Sequence, residues 1–211
     1  SLTRGQLRAR AMRLAALLPE ASATSEISFS FGDDYAACAV ALCATWLRGH
    51  TAALPVDGRR DNVVPVLGRP ASVGFLHDTG VGRGFDVARL AGALEGEFER
   101  GYDCVRSGSE GARAARWPDG KPAVALFAHG EATPCRALTP AEVDAEARHT
   151  AETLELTAGR RVASTLTPTE PTALFAALLA PLVARAQFGA RRIAVEAVVD
   201  GVRACAFDVL L

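Results

Sequence analysis

The chain has 211 residues, 49% hydrophobic and 22% charged, which is enough to bury one substantial core in a globular protein. Its formal net charge of −1 argues on electrostatic grounds against nucleic acid as a partner. The longest apolar runs, 36–47 and 173–184, fall short of the roughly 20 residues a membrane span needs, and the N-terminus lacks a signal-peptide pattern, so a cytoplasmic protein with no membrane partner is expected.

Thr3 followed by Gln6 has the spacing of a capping box and opens an expected helix over 3–18. Leu7, Leu14, Leu17 and Leu18 form its candidate buried stripe, and Arg4, Arg8, Arg10 and Arg13 its solvated face. "EISFSF" then alternates, with Ile27, Phe29 and Phe31 on one side of a strand. Gly32-Asp33-Asp34 turns the chain, and Asp33 is placed to cap a second helix over 34–48. That helix is apolar nearly all round and should be buried, with Gly49 ending it. "TAALPV" continues as a short extended segment. Strand, helix and strand with short joins make a βαβ unit, which predicts a parallel sheet.

"VVPVL" and "SVGFLH" read as further strands, with His77-Asp78 as a polar turn at the end of the second. Gly80, Gly82 and Gly84 in "GVGRGF" do not have dinucleotide-fingerprint spacing and predict a loop before a helix over 86–94. Residues 106–122 are rich in Gly, Ser and charge and predict an exposed loop, which carries the chain's sole lysine, Lys121, as a solvated side chain.

"AVALFAH" has the length and apolarity of a central strand. Thr139-Pro140-Ala141-Glu142 combines a capping box with proline at the first helical position and starts a helix running to Leu156. Glu142, Asp144, Glu146, Glu152 and Glu155 give it an acidic, solvated face. "GRRVASTL" follows as a strand. Pro171 opens another apolar helix to Gln187, with Thr169 or Glu170 as its cap. Asp200-Gly201 between apolar runs is a hairpin signal. No internal repeat or shift in composition divides the chain. The expectation is a single α/β domain over 1–211, a largely parallel sheet flanked by helices, with a C-terminal β-hairpin.

The five cysteines, Cys38, Cys43, Cys104, Cys135 and Cys205, lack CxxC spacing, so neither a disulfide framework nor a metal site is expected. His129 and Cys135 lie close in one loop, but no orienting partner can be named for a nucleophile pair. His50 and His149 read as boundary or surface residues.

The segment "WLRGHTAALPVD", 46–57, resembles the helix, glycine turn and "AxLPxD" stretch of the acyl- and aryl-adenylate-forming ligases, the AMP-dependent synthetase and ligase superfamily. "FGDDYAACAVALCAT" before it resembles that family's preceding helix. "AVALFAHGEATP" falls where the family has a strand and the phosphate loop "TSGSTGxPK". "RRVASTLTPTEPTALFAALLAPLVARA" resembles its next strand, loop and long apolar helix. In order and spacing the resemblance covers 25–187. It implies the family's N-terminal α/β subdomain. It also implies ATP-dependent activation of a carboxylic acid to an acyl-adenylate, with a thiol of coenzyme A or a carrier protein as acceptor.

On that resemblance, His129, Gly130, Glu131, Ala132 and Thr133 are the cofactor-binding loop positions. Gripping a triphosphate takes inward N–H groups, which glycines permit, with hydroxyls and a cation. Gly130 matches a family glycine. Pro134 matches the family proline with one position missing before it. Cys135 stands where lysine is expected, Arg136 supplies the charge only by a register shift, and Glu131 adds a carboxylate where phosphate oxygens would lie. At Thr167-Pro168-Thr169-Glu170-Pro171 no side chain matches the family's pocket-closing aromatic or histidine. The family's adenine and ribose motifs and its C-terminal domain with a catalytic lysine lie beyond these segments. The expectation is a truncated, ligase-like scaffold that is noncatalytic alone. It would bind ATP and magnesium only if the loop works, and would serve acyl activation or carrier-protein biosynthesis. A carrier protein, a biosynthetic subunit or a second copy is its expected partner. The alternatives are an active ligase fragment or subunit, and a binding or dimerisation module without nucleotide.

Overall fold

Thr3 caps helix α1 (Arg4–Leu17) with the reciprocal bonds of a capping box, Gln6 N–H to Thr3 Oγ1 at 3.2 Å and Thr3 N–H to Gln6 Oε1 at 2.9 Å. The structure, a computed structural model, describes residues 3–55, 72–77, 85–86, 117–128, 131, 133–189, 192–198, 200 and 207–211. The stripe of α1 that faces the core is Leu7, Ala11, Leu14 and Leu18. Leu17 is 52% exposed, because it stands three residues after Leu14 and one before Leu18, on the outer flank of the stripe. Arg4 and Arg8 are exposed, while Arg10 and Arg13 are half-buried rather than fully solvated.

Strand β1 (Glu26–Ser30) runs into helix α2 (Tyr35–Arg48), capped by Asp34, whose Oδ1 accepts from Ala37 N at 2.8 Å. Asp34, one residue later than the sequence suggests, is thus the cap. Gly49 ends α2 at φ 85°, a left-handed conformation open to glycine without a Cβ clash. Strand β2 (Thr51–Pro55) returns parallel to β1, as the βαβ reading predicts. Nine of the fourteen α2 residues are buried, since the helix lies between the sheet and α1.

Strand β3 (Ser72–His77) pairs in parallel with the other side of β1, and β4 (Phe85–Asp86) with β3. Asp86 is therefore a strand residue rather than a helix start. The strand expected at 63–67, the glycines at 80, 82 and 84 and the rest of the helix expected over 86–94 lie outside the described residues. Strand β5 (Val124–Phe127) pairs in parallel with β2 and antiparallel with β6 (Arg136–Leu138), a strand the sequence did not announce. The sheet order is β4-β3-β1-β2-β5-β6. β2 and β5 are buried along their whole length, which explains why their sequences are apolar runs rather than alternations.

Thr139 and Glu142 close the expected capping box on helix α3 (Pro140–Thr153), which packs Val143, Ala147 and Ala151 inward. Its acidic side chains stay exposed, Glu146 less so than the others. Strand β7 (Arg161–Ala163) belongs to a second, three-stranded parallel sheet, in the order β8-β7-β9, with β8 (Gln187–Phe188) and β9 (Val209–Leu210). Between β7 and β8 the apolar helix is π-helical over Ala173–Leu179 and α-helical as α4 (Ala180–Ala184). Pro181 has no N–H to return, and in an α-helix its ring would strike the carbonyl four residues back; the wider preceding turns accommodate it. Glu170 folds back to accept from Thr167 N and Oγ1 at 3.0 and 2.8 Å, closing the turn before this helix, while Thr169 is fully buried.

Of the hairpin expected at Asp200-Gly201, residues 199 and 201–206 lie outside the described residues. Val195–Ala197 is a 3-10 turn, Asp200 is helical, and β9 pairs with β7 in parallel. The bonds of β9 are made to a sequence-distant partner, β7. Among the described residues, no helix is long and apolar enough to cross a membrane.

Candidate functional site

In an open, mostly parallel sheet, ligands lie beyond the carboxyl ends of the strands. Here that edge is formed by Ser30, Pro55, His77, Asp86 and Phe127, and the 128–135 loop leaves it directly after β5. His77 is buried at the end of β3, not in a polar turn. Of the loop positions singled out in the sequence, His129, Gly130 and Ala132 lie outside the described residues. Glu131 and Thr133 are exposed.

The loop joins two antiparallel strands rather than a strand and a helix, and its described donors are directed at its own backbone. Glu131 N–H donates to Ala128 O at 3.2 Å. Cys135 N–H donates to Leu126 O at 2.8 Å, and Cys135 Sγ approaches the same carbonyl at 3.2 Å. The side chain in the lysine's place is thus folded back on the hairpin. Arg136, in register with Leu126, follows the loop directly, and its guanidinium pairs with Glu146 of α3 at 2.7 Å. Among the described residues of the loop, the N–H groups of Glu131 and Cys135 and the Arg136 guanidinium are turned to partners within the chain, and Glu131 is exposed, so these described groups do not fit a triphosphate.

Lys121 does not supply the missing charge either. It precedes β5 and therefore lies at the opposite, amino-terminal edge of the sheet. The expectation that it is solvated is incorrect: it is 5% exposed, and its Nζ donates to Ser22 O at 2.6 Å and Gly49 O at 2.7 Å. His50, read as a boundary residue, is fully buried beside it. No local pattern marks either residue, because their partners come from other parts of the chain.

An apolar cleft of about 350 Å³ lies away from the loop, between α3, α4 and the end of α2. Trp46, Trp117, Val143, Ala147, Leu179 and Leu182 line it. Both indole N–H groups are already bonded, Trp46 Nε1 to Ala123 O at 2.9 Å and Trp117 Nε1 to Lys121 O at 2.7 Å. The cleft therefore presents ring surface rather than donors. Among the described residues, no group of three His, Cys, Asp or Glu is placed to hold a metal ion. Cys38, Cys43 and Cys135 are not in disulfides, and burial pushes the Cys43 thiol up to about 11. Burial likewise raises the Tyr35 phenol to about 12 while its hydroxyl donates to Leu166 O at 3.0 Å, joining α2 to the chain after β7.

No known family profile and no curated protein matches the sequence. Solved structures match the fold. O-succinylbenzoate coenzyme A synthetase (MenE) from Bacillus subtilis, in complex with ATP and magnesium ion, is 15% identical with a TM-score of 0.70, over 99% of this chain and 56% of that one. Apo MbtA from Mycobacterium smegmatis is 16% identical with a TM-score of 0.64, over 97% and 41% of the two chains. Apo MatB from Rhodopseudomonas palustris is 15% identical with a TM-score of 0.63, over 99% and 43%. The chain spans roughly half the length of these proteins. Its fold is that of the N-terminal subdomain of the adenylate-forming ligases, as the sequence resemblance implies.

Proposed function

We propose that this chain is a ligase-like scaffold associated with carboxylic-acid activation, whose phosphate loop is degenerate, so that the chain by itself does not form an acyl-adenylate. The observation that carries this reading is the state of the loop's charges. Arg136, the described cation that follows the loop, is engaged by Glu146, Cys135 stands where the resemblance expects lysine, and Glu131 is exposed at the strand's carboxyl end. Binding a carrier protein or a biosynthetic subunit is the role this leaves for it in acyl activation. Calorimetry with magnesium and ATP, followed by pyrophosphate release on adding carboxylic acids, tests the reading. No heat at millimolar nucleotide is expected; tight binding with acid-dependent pyrophosphate release would overturn it.

A second reading, a binding or dimerisation module that uses no nucleotide, is favoured by the apolar cleft. Trp46 and Trp117 are the chain's two tryptophans and both line it, so an occupant would change the intrinsic fluorescence. A concentration-dependent emission shift tracking a monomer–dimer equilibrium in sedimentation would support it; emission unchanged across that equilibrium would exclude the cleft as the contact.

A further inference from the structure

At the amino-terminal edge of the main sheet, three polar side chains are buried together, each just before a strand. Ser25 precedes β1, His50 precedes β2 and Lys121 precedes β5; they are 2%, 0% and 5% exposed. Lys121 Nζ meets three acceptors, Ser22 O at 2.6 Å, Gly49 O at 2.7 Å and Ser25 Oγ at 3.5 Å. An ammonium has three N–H groups to match them and a neutral amine only two, so the acceptor set fits the charged form. His50 Nε2 lies 2.9 Å from Pro19 O, which only accepts, so Nε2 carries the hydrogen. In the neutral ring Nδ1 is then an acceptor for the Ser25 hydroxyl at 2.9 Å, whose other acceptor is Ser22 O at 3.0 Å. Arg48 Nε also donates to Pro19 O, at 3.2 Å. The connection between α1 and β1 is thus held through two of its carbonyls by Arg48, His50 and Lys121.

We propose that Lys121, Ser25 and His50 form an acid-releasable clasp that fastens the 18–25 connection to the amino-terminal edge of the sheet. Protonating His50 places a hydrogen on Nδ1. The Ser25 hydroxyl then has only Ser22 O to donate to, at 3.0 Å, its oxygen faces three donors (the ring, Ser22 N–H at 2.9 Å and Lys121 at 3.5 Å) with two lone pairs, and a second buried cation stands beside the first. The charges around the ring agree in sign: Lys121 from the chain before β5 and Arg48 from α2 both oppose an imidazolium. Burial holds the Lys121 ammonium below its usual range, against the pull of Glu26 at the start of β1, and Glu20, on the connection itself, is exposed. Burial, with Lys121 and Arg48, holds the imidazole below its usual range, against the pull of the Pro19 carbonyl.

The direction of the pH effect follows. Well above the ordinary histidine value of about 6.5, closed and open forms are both neutral and nothing is lost. Below it the open form takes up the proton first, so the clasp weakens as pH falls towards the lowered native value, by at most about tenfold per pH unit. The effect does not depend on whether the loop after β5 binds nucleotide.

Amide hydrogen exchange from about pH 7.5 to about 5.5, corrected for intrinsic rates, tests the clasp through Ser22 and Ser25. Ser22 N–H bonds Ser25 Oγ at 2.9 Å and Ser25 N–H bonds Ser22 O at 3.4 Å, so both report its opening. Their corrected exchange should speed up by up to about tenfold per pH unit below about 6.5, while Ala41 inside α2 changes less. His50→Gln, which keeps a donor towards Pro19 but cannot titrate, should abolish the acid increase. Lys121→Met should speed exchange at pH 7.5 and flatten the pH dependence. Flat wild-type exchange over this range, or a wild-type slope in His50→Gln, would overturn the clasp. So would a native His50 ring that titrates by NMR at or above the ordinary value, a readout that needs no variant.

Discussion

Glu131→Gln isolates the charge that most distinguishes the 128–136 loop from a phosphate-binding one. A phosphate oxygen brought to about 4 Å of the carboxylate would be repelled by about 1 kcal/mol in bulk water and about 4 kcal/mol at an effective dielectric near 20. The structure decides between these values: Glu131 is exposed, and its main-chain N–H closes a turn on Ala128 O rather than holding the side chain against a wall. The lower value applies, and about 1 kcal/mol is about fivefold in affinity. Removing the charge should therefore tighten the binding of magnesium and ATP by no more than about fivefold, an effect that shrinks further in salt. The amide groups of Glu131 and Cys135 and the Arg136 guanidinium would remain turned to their internal partners. Isothermal calorimetry on both proteins at low and high ionic strength makes the comparison. If Glu131→Gln alone tightens binding a hundredfold, the reasoning fails, because the rest of the loop would then be competent and only the carboxylate would be blocking it.

Two further predictions concern the scaffold. Asp34→Ala removes the side-chain acceptor for Ala37 N–H at the start of α2 and should cost about 1 kcal/mol in urea unfolding, whereas Asp34→Asn should keep most of the cap; equal losses in the two would refute the capping role. Leu178→Ala empties a fully buried position in the π-helical segment and should cost about 2 to 5 kcal/mol, and a loss well under 1 kcal/mol would show that the segment is loosely packed.

The loop shows how far its neighbourhood could be read from residues alone. "AVALFAH" is a strand and "TPAE" starts a helix because apolar runs and capping boxes are written in adjacent residues. The strand between them was missed: "RAL" is three residues long, carries no alternation, and owes its conformation to pairing with Val124, Ala125 and Leu126. The engagement of Arg136 by Glu146 was equally invisible, since a charged residue's partner is set by where helix and strand come to lie.

The sequence alone determined the elements whose stabilising partners are close neighbours. Thr3 and Thr139 name their helices' first turns, Gly49 names the end of α2, and the β1-α2-β2 order imposes parallel pairing. Tertiary structure decided what depends on groups distant in the chain. Lys121, surrounded in sequence by turn residues and glycines, is buried because Gly49 and Ser22 bring carbonyls to it from 72 and 99 residues away. His50 is buried for the same reason, and β7 leaves the main sheet because β8 and β9 pair with it. A buried charge is tolerable only where its acceptors converge, and that convergence is a property of the folded chain, not of any stretch of it.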